Sequence, residues 1–418
     1  MTPHEVAVTG VGLVTPAGIG APATWERVYA GEPTACHDPT LAGNPVTISC
    51  RVASFVEMGV LTRRKARRLD RFVQFAVIAA EEALLDAKLC PSRWNGARVA
   101  VVLGSADGGP GTVEQQLRVM LAEAPEQVSP LLLPMQLPNM LAGNLSMELG
   151  AIGPSFVVAT ACASGATAIG IARDLLALDR CDIAVTGGSE AMITPLVMAG
   201  FAQMGALSRR LDDPRGASRP FDADRDGFVA SEGAGILVLE RPKDALARGA
   251  RIRGLITGYG ASADAHHITA PDPTGRGVEI AVRSALAEAG AGPGEIDHVN
   301  AHGTSTPLND LTEARVLHRV LGDRALVTST KGVTGHMFGA AGAVEAVLTV
   351  LALEKGQVPP TANLTRLDPE VELDVAAALP RAGASWPCPP PSGSAARTPR
   401  SGPPDPPPTP PPPTPPLP

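Results

Sequence analysis

Two kinds of apolar segment alternate along residues 1–380 and are joined by glycine-containing turns. Residues 6–12 (VAVTGVG) and 98–103 (RVAVVL) are almost continuously apolar, as in short strands that are buried on both faces. Residues 74–88 (QFAVIAAEEALLDAK) instead place their apolar positions at helical spacing. Alternation of strands and helices predicts an α/β protein.

The same order of elements occurs twice in the chain. Each series has an entry strand, an amphipathic helix and a second strand. The first series comprises residues 6–12, 74–88 and 98–103, and the second comprises residues 252–260, 279–290 and 297–300. This correspondence predicts two related α/β halves, residues 1–250 and residues 251–380.

From about Ala382 onward the alternation stops. Residues 401–418 (SGPPDPPPTPPPPTPPLP) are dominated by proline, which fixes φ and lacks the backbone N–H that helices and sheets require. We therefore expect residues 381–418 to be a disordered tail without a core element. A GC-rich gene read out of frame encodes a sequence of this kind, so we also expect a frameshift near this point.

Composition excludes several classes of function. A net charge of −7 and 3% aromatic residues give neither a basic field nor many stacking surfaces, so nucleic acid is not an expected partner. The six cysteines show no CxxC spacing, which disfavours a disulfide framework and a zinc site. No signal-peptide pattern or 18-residue apolar stretch occurs, so we expect a cytoplasmic protein without a membrane segment.

Cys162 lies at a turn between a predicted strand, residues 155–160, and a helix of small residues, residues 163–178. A thiol at a helix N-terminus meets free N–H groups and the positive end of the helix dipole, which favour its thiolate. A buried structural cysteine is the alternative interpretation. The small residues on both sides leave room for a substrate and favour a nucleophile.

Two histidines follow predicted strands in similar settings. His302 begins a loop after one strand, and His336 follows Lys331 and precedes a helix that carries Glu345. If these strands and the strand before Cys162 are parallel in one sheet layer, their carboxyl ends share a crevice. The five side chains would then converge.

Such a set of residues suits acyl transfer followed by attack of a carbanion. A thiolate accepts an acyl group as a thioester. Two histidine N–H donors can then stabilise an enolate oxygen while a β-carboxylate leaves as carbon dioxide, without a metal. A cysteine hydrolase would need one histidine and an orienting group, so the second histidine and the lysine favour condensation.

Three motifs in order resemble the active-site motifs of the elongating β-ketoacyl-[acyl carrier protein] synthases. They are residues 160–165 (TACASG), 301–307 (AHGTSTP) and 331–342 (KGVTGHMFGAAG), and the similarity extends from about residue 4 to about residue 375. The resemblance implies a thiolase-like five-layer αβαβα fold built from two duplicated halves. It also implies a homodimer, or a heterodimer with a related ketosynthase subunit.

The resemblance also implies roles for individual residues. Cys162 would be the nucleophile, His302 and His336 would assist decarboxylation and hold the enolate oxygen, and Lys331 and Glu345 would order the site electrostatically. The implied substrate contacts are Thr304 and Thr306 for the phosphopantetheine arm, and Phe201 and Asp107 for the acyl chain. That arm arrives on the carrier protein, so no cofactor of the enzyme itself is expected.

The implied partner, an acyl carrier protein, is strongly acidic, and the chain contains a dense basic run. We expect carrier docking at Arg63, Arg64, Lys65, Arg67, Arg68 and Arg210. A solvated helix face is the alternative interpretation of this run.

Two features depart from the family pattern. The glycine-rich C-terminal loop that supplies a second oxyanion donor is absent, and such a donor contributes about 3–4 kcal/mol to the transition state. Asp107 stands where the family has a small or apolar residue, and a buried unpaired carboxylate there would oppose a long alkyl chain. Alternatively, Asp107 faces solvent or caps a turn.

The leading interpretation is a condensing enzyme of fatty-acid or polyketide biosynthesis, which the motifs cannot separate. The alternative is a catalytically impaired or non-catalytic partner subunit of a ketosynthase heterodimer. Such subunits typically lack the nucleophile, so Cys162 disfavours it. A thiolase would need a second cysteine as base, and the sequence after residue 336 offers no suitable one.

Overall fold

A computed structural model describes residues 5–53, 61–267 and 270–377. The expected proline-rich tail, residues 381–418, lies outside them. The strands are β1 (Val6–Thr15), β2 (Gly18–Ile19), β3 (Cys36–His37), β4 (Ile48–Ser49), β5 (Val99–Gly104), β6 (Ser155–Val158), β7 (Ile183–Glu190), β8 (Gly233–Glu240), β9 (Gly254–Ile256), β10 (His298–Asn300) and β11 (Leu326–Thr328). The helices are α1 (Ala21–Tyr29), α2 (Arg63–Ala66), α3 (Arg71–Asp86), α4 (Pro110–Ala122), α5 (Leu132–Gln136), α6 (Met140–Leu149), α7 (Ser164–Ala177), α8 (Pro195–Gln203), α9 (Pro242–Ala247), α10 (Arg276–Ala289), α11 (Pro307–Leu321), α12 (Lys331–Thr334) and α13 (Ala341–Lys355).

A mixed seven-stranded sheet is the larger of the two sheets beside the site. Its strand order is β2-β1-β8-β7-β5-β6, with β9 also pairing with β1. Strand β5 is parallel to β6 and β7, whereas β8 is antiparallel to β1 and β7. Strands β1, β5 and β8 are buried along their whole length, because α3 and α6 cover one face of the sheet and α7 and α13 cover the other.

A second, smaller sheet lies on the far side of α13. Strands β10 and β11 pair in parallel, and α10 and α11 pack against them. The side-chain amide of Asn300 in β10 donates to the backbone oxygen of Glu345 in α13, at 3.2 Å. Helices α7 and α13 therefore lie between two sheets, and the described residues form five layers in the order helix, sheet, helix, sheet, helix.

The expectation that the strands before Cys162 and the two histidines share one sheet layer is wrong. Strand β6, which precedes Cys162, belongs to the seven-stranded sheet, whereas β10 and β11 form the second sheet. The carboxyl ends still meet, because the two sheets pack on opposite sides of the same helical layer.

Close strand-to-helix contacts recur in the two halves. In each half, two glycines separated by one residue pack against a helix so closely that an added Cβ would lie 2.1 and 1.9 Å from helix carbonyl oxygens. The contacts are Gly10 on Ala83 and Gly12 on Ala79 in the first half, and Gly258 on Ala285 and Gly260 on Ala281 in the second. This repetition supports the predicted relation between the halves.

The predicted helices are present with small shifts of their ends. The helix predicted after His336 begins at Ala341, because a 3₁₀ turn, Phe338–Ala340, comes first. Among the described residues, every helix is too short or too polar to cross a bilayer.

Candidate active site

Cys162 lies in a tight turn between β6 and α7. The preceding residue, Ala161, has a φ of 49°, a left-handed conformation that is uncommon outside glycine. The Ser164 hydroxyl donates to the Ala161 backbone oxygen at 2.6 Å and accepts the Thr160 N–H at 2.9 Å. These bonds close the turn and hold the half-buried Cys162 side chain just ahead of the helix.

His336 follows α12, and hydrogen bonds of its backbone fix its position. Its N–H donates to the Val229 oxygen at 2.8 Å, and its oxygen accepts the Ser231 N–H at 2.9 Å. The buried ring places Nε2 3.0 Å from the Cys162 Sγ. That distance allows a proton to pass between the thiol and the imidazole.

His302 approaches from the loop after β10. The N–H groups of His302 and Gly303 donate to the Glu313 carboxylate of α11, at 2.7 and 2.8 Å. The His302 ring lies edge-on to His336, with 5.3 Å between the ring centroids. A nitrogen of each ring and the Cys162 Sγ all lie within 4.8 Å of one another.

Lys331 and Glu345 form a buried ion pair beside the histidines. Lys331 begins α12, and its Nζ also donates to the His302 backbone oxygen at 2.5 Å. Its side chain is only 1% exposed and that of Glu345 is 14% exposed. The structure therefore brings together the five residues that the sequence suggested as catalytic.

Burial sets the protonation states of the site. It raises the pKa of the Cys162 thiol to about 11, although the Lys331 charge acts in the opposite direction. The expectation that the helix N-terminus favours a resting thiolate is therefore wrong. Burial also lowers the pKa of His302 to about 3 and that of His336 well below its usual value, so both rings are neutral at pH 7.

A thiol beside a neutral imidazole can be activated during attack rather than beforehand. The Nε2 lone pair of His336 can take the Sγ proton, and a neutral ring can donate an N–H to an oxyanion. The buried Nδ1 of His336 has no hydrogen-bond partner within the described part of the chain. No contact there fixes one tautomer, so the ring can serve in either role.

Aromatic side chains extend from His336 toward Phe201. Phe338, with a φ of 46°, lies 5.2 Å from the His336 ring and stacks on Phe201 at 5.2 Å. Phe228 meets His336 edge-on at 5.4 Å. Phe338 therefore lies between Phe201 and His336.

The other predicted substrate residues lie in loops. The hydroxyls of Thr304 and Thr306 are 2.9 Å apart, immediately before α11. Asp107 follows β5 and is exposed, which fits the alternative that it faces solvent, and desolvation by neighbouring residues raises the pKa of its carboxyl. Among residues 5–53, 61–267 and 270–377, that carboxylate has no hydrogen-bond partner.

The predicted docking residues lie on two segments. Arg63, Arg64, Arg67 and Arg68, in and after the short helix α2, are exposed. The Nζ of Lys65 forms an ion pair with Glu148 at 2.7 Å. Arg210 lies in a loop, where its guanidinium donates to the Asp224 backbone oxygen at 3.2 Å.

Three buried acids near the site were missed by the sequence interpretation. Glu313 supports the His302 backbone, and burial raises its pKa to about 7. Asp310 accepts the N–H groups of Phe221 and Ser305 at 2.9 and 3.1 Å. Glu190 ends the apolar strand β7, and an acid at the end of a buried strand was the available sequence signal.

Fold and site together define a thiolase-like acyltransferase. Of the described residues, Cys162, His302 and His336 are also the one cluster of three or more whose donor atoms could hold a metal ion.

Comparison with known proteins agrees with this class. The family model of the beta-ketoacyl synthase N-terminal domain matches residues 4–245, and the family model of the C-terminal domain matches residues 253–365. A 3-oxoacyl-[acyl-carrier-protein] synthase 2 of Synechocystis sp. is 45% identical over 377 residues, covering 88% of this chain and 90% of that relative. The synthase of the same name from Vibrio cholerae is 41% identical, covering 90% of this chain and 92% of that relative.

Solved structures give the same result. The ishigamide ketosynthase/chain length factor superposes with a TM-score of 0.83 at 34% identity, covering 89% of this chain and 92% of that chain. A ketosynthase in complex with the acyl-carrier protein of a type II PKS, bound to the hexaketide, gives 0.84 at 32% identity, with 90% and 93% covered. The chain belongs to the beta-ketoacyl synthase family, and the predicted α/β thiolase-like fold is confirmed.

Proposed function

We propose that the protein is a β-ketoacyl-[acyl carrier protein] synthase. It transfers an acyl group to Cys162 and then condenses it with malonyl-[acyl carrier protein] with loss of carbon dioxide. The observation that carries this proposal is the placement of His336 Nε2 3.0 Å from the Cys162 Sγ, with His302 beside it. The names of the relatives support it.

Acyl loading uses the thiol and His336. The Cys162 Sγ attacks the thioester carbonyl of the acylated arm while its proton moves to Nε2 of His336. The arm sulfur then leaves and takes that proton, so His336 is neutral again and Cys162 carries the thioester. Keeping both partners neutral avoids a buried charge before attack.

Condensation uses both histidines as donors. The malonyl carboxylate leaves as carbon dioxide, and its electron pair forms an enolate whose oxygen accepts N–H bonds from His302 and His336. The enolate carbon attacks the thioester of Cys162, and the thiolate leaves. The Lys331–Glu345 pair holds the His302 backbone and supplies positive charge nearby.

The remaining assignments are proposals of the same kind. Thr304 and Thr306 contact the arm, and Phe201 and Asp107 border the acyl chain, where a carboxylate would disfavour a long alkyl chain if the chain covered it. The exposed arginines beside α2 suit an acidic carrier protein, and ketosynthases of the same fold are solved with a carrier or a chain length factor. A homodimer or heterodimer follows from the same resemblance.

Several expectations stay predictions. They are the cytoplasmic location, the lack of a cofactor other than the arriving arm, and the halves at residues 1–250 and 251–380. The choice between fatty-acid and polyketide biosynthesis also remains open. A catalytically impaired partner subunit is the second candidate function, since the sequence predicts no glycine-rich loop after residue 380.

The test is acyl loading followed by intact-protein mass spectrometry. Incubation with an acylated carrier protein should add one acyl mass to the wild type and none to Cys162→Ala. His302→Ala should slow malonyl decarboxylation while leaving loading largely intact, because His302 serves only the second step. An adduct that persists in Cys162→Ala would refute the nucleophile. Equal loss of both steps in His302→Ala would indicate a hydrolytic site.

A further inference from the structure

Glu190 is a fully buried acid that the proposed reaction does not use. It ends β7, and its side chain is 0% exposed. Oε1 accepts the Ser105 hydroxyl at 3.0 Å, and Oε2 accepts the N–H groups of Ala106 at 2.5 Å and Gly339 at 3.2 Å. One carboxyl therefore connects the loop after β5 to the 3₁₀ turn between His336 and α13.

No cation compensates Glu190 in the part of the chain that the structure describes. Burial raises its pKa to about 8, although the hydrogen bonds from Ala106 and Ser105 favour the charged form. A buried acid without a cationic partner is costly and persists where its hydrogen bonds fix a geometry. Here the donors belong to two segments that are far apart in sequence.

The turn that Glu190 holds is strained and crowded. A Cβ on Gly339 would lie 2.5 Å from Glu190 Oε2 and 2.6 Å from the Ala106 nitrogen. The residue before it, Phe338, has a φ of 46°. Non-glycine residues keep such a backbone only where their surroundings impose it. The bond from the Gly339 N–H to Glu190 is one such restraint.

Phe338 packs between this turn and the catalytic residues, so the position of the turn affects them. Its ring lies 5.2 Å from the His336 ring and 5.2 Å from the Phe201 ring. If the turn relaxed, the His336 imidazole would lose a packing partner next to Cys162.

We propose that Glu190 is a positioning residue, which fixes the Phe338 turn and thereby holds the His336 ring against Cys162. The same carboxyl fixes the loop that carries Asp107. The expected effect of Glu190 on condensation rests on the proposed function, whereas its hydrogen bonds and the packing of Phe338 on His336 do not.

The test compares Glu190→Gln with Glu190→Ala. The glutamine amide can accept both N–H groups with its oxygen and donate its NH₂ to the Ser105 hydroxyl, so Glu190→Gln should keep wild-type kinetics. Glu190→Ala should lower kcat for condensation by about 10- to 100-fold while KM for the carrier substrate stays unchanged, as expected for a displaced catalytic group. Glu190→Asp, which keeps the acid but shortens its reach, should behave like Glu190→Ala and replaces it if that variant does not fold.

Two further measurements separate positioning from general destabilisation. Glu240 is a buried acid at the opposite end of the β7–β8 pair, where it binds Arg248 at 2.6 Å. Glu240→Gln should lower the melting temperature without changing kcat or KM. The rate of Cys162 alkylation by iodoacetamide depends on the fraction of thiolate, which the contact between Sγ and the His336 imidazole influences. It therefore reports the thiol–imidazole geometry without any condensing substrate, and it should change in Glu190→Asp but not in Glu190→Gln.

The outcomes are distinguishable. Wild-type kcat and alkylation in both Glu190→Ala and Glu190→Asp would overturn the positioning role. Equal losses in Glu190→Gln and Glu190→Ala would overturn it as well, because the hydrogen-bond set would then not be the cause. A wild type that does not condense, but whose alkylation responds to Glu190→Asp, would refute the proposed function and uphold the positioning role.

Discussion

Two opposing effects act on the pKa of the Cys162 thiol. The turn before α7 and the nearby Lys331 charge favour a thiolate, whereas the packing of both histidines around the sulfur removes water from it. Removal of water has the larger effect and raises the pKa to about 11. The neutral rings of His302 and His336 follow from the same burial.

The alkylation of Cys162 should therefore depend steeply on pH. Only the thiolate reacts, so the iodoacetamide rate should rise about tenfold per pH unit from pH 7 to pH 10. Cys90 is the internal control, because it is exposed and a hydrogen bond from Ser92 lowers the pKa of its thiol from 9.0. Its rate should level off at a lower pH than that of Cys162. Site-resolved mass spectrometry measures both, and a Cys162 plateau at or below that of Cys90 would contradict the dominance of burial.

Residue types at strand ends predicted which side chains the structure brings together, but not the groups that support them. The sequence identified Cys162, His302 and His336 because each follows an apolar strand. The acid at the end of β7 was a signal for Glu190, but the sequence could not show its hydrogen-bond partner Gly339, which is 149 residues away along the chain. The resting thiol was mispredicted for the same reason, since local sequence indicates a helix N-terminus but not the residues that bury it.

The helical layer between the two sheets explains how two sheets form one site. Helix α7 begins just after Cys162, and α13 carries Glu345. Periodicity predicted both helices within a few residues, because their apolar spacing is a local property. It did not predict two sheets, since strand pairing depends on contacts between distant segments.

The glycine contacts give the relation between the halves a quantitative test. Gly12→Ala and Gly260→Ala each place a Cβ 1.9 Å from a helix carbonyl oxygen, so each should destabilise the protein by about 1–3 kcal/mol. Gly254→Ala is the matched control, because nothing lies within 4 Å of its Cβ. It should be neutral or slightly stabilising, since alanine restricts the unfolded chain. Urea unfolding measures all three.

A loss in Gly12→Ala alone would contradict equivalent packing in the two halves. Helix α10 would then pack only loosely against residues 258–260. Equal losses would support a duplicated unit in which a segment with two glycines packs directly on a helix.

At the scale of the whole molecule, the two halves differ in the described residues. In the first sheet, β8 and β7 lie between β1 and β5. In the second half, residues 258–260 pack on α10 as β1 packs on α3, and β10 pairs with β11. Residues 5–53, 61–267 and 270–377 contain no counterparts of β7 and β8 between them. The sequence predicts none in residues 381–418.

The expected second oxyanion donor belongs to the same region of the family pattern. We therefore expect a chimera that replaces residues 378–418 with the corresponding segment of the Synechocystis relative to gain kcat over this chain. The gain should be about 10²–10³-fold, the usual effect of one oxyanion donor. Its free energy of unfolding in urea should also rise, because added strands would enlarge the two-stranded second sheet.

The same chimera separates missing catalytic groups from a missing function. Adding Cys162→Ala to the chimera should abolish condensation. That result would show that the gain in kcat depends on the nucleophile of this chain. If the 418-residue chain already equalled the chimera in kcat and stability, another group would have to supply the donor and the prediction from sequence would fail.

If the chimera unfolded at higher urea but stayed inactive, the second sheet would be completed without creating a condensing site, and the partner-subunit interpretation would be favoured. Because the nucleophile and both histidines lie on the described halves, a gain in both quantities would indicate that the last segment limits this enzyme.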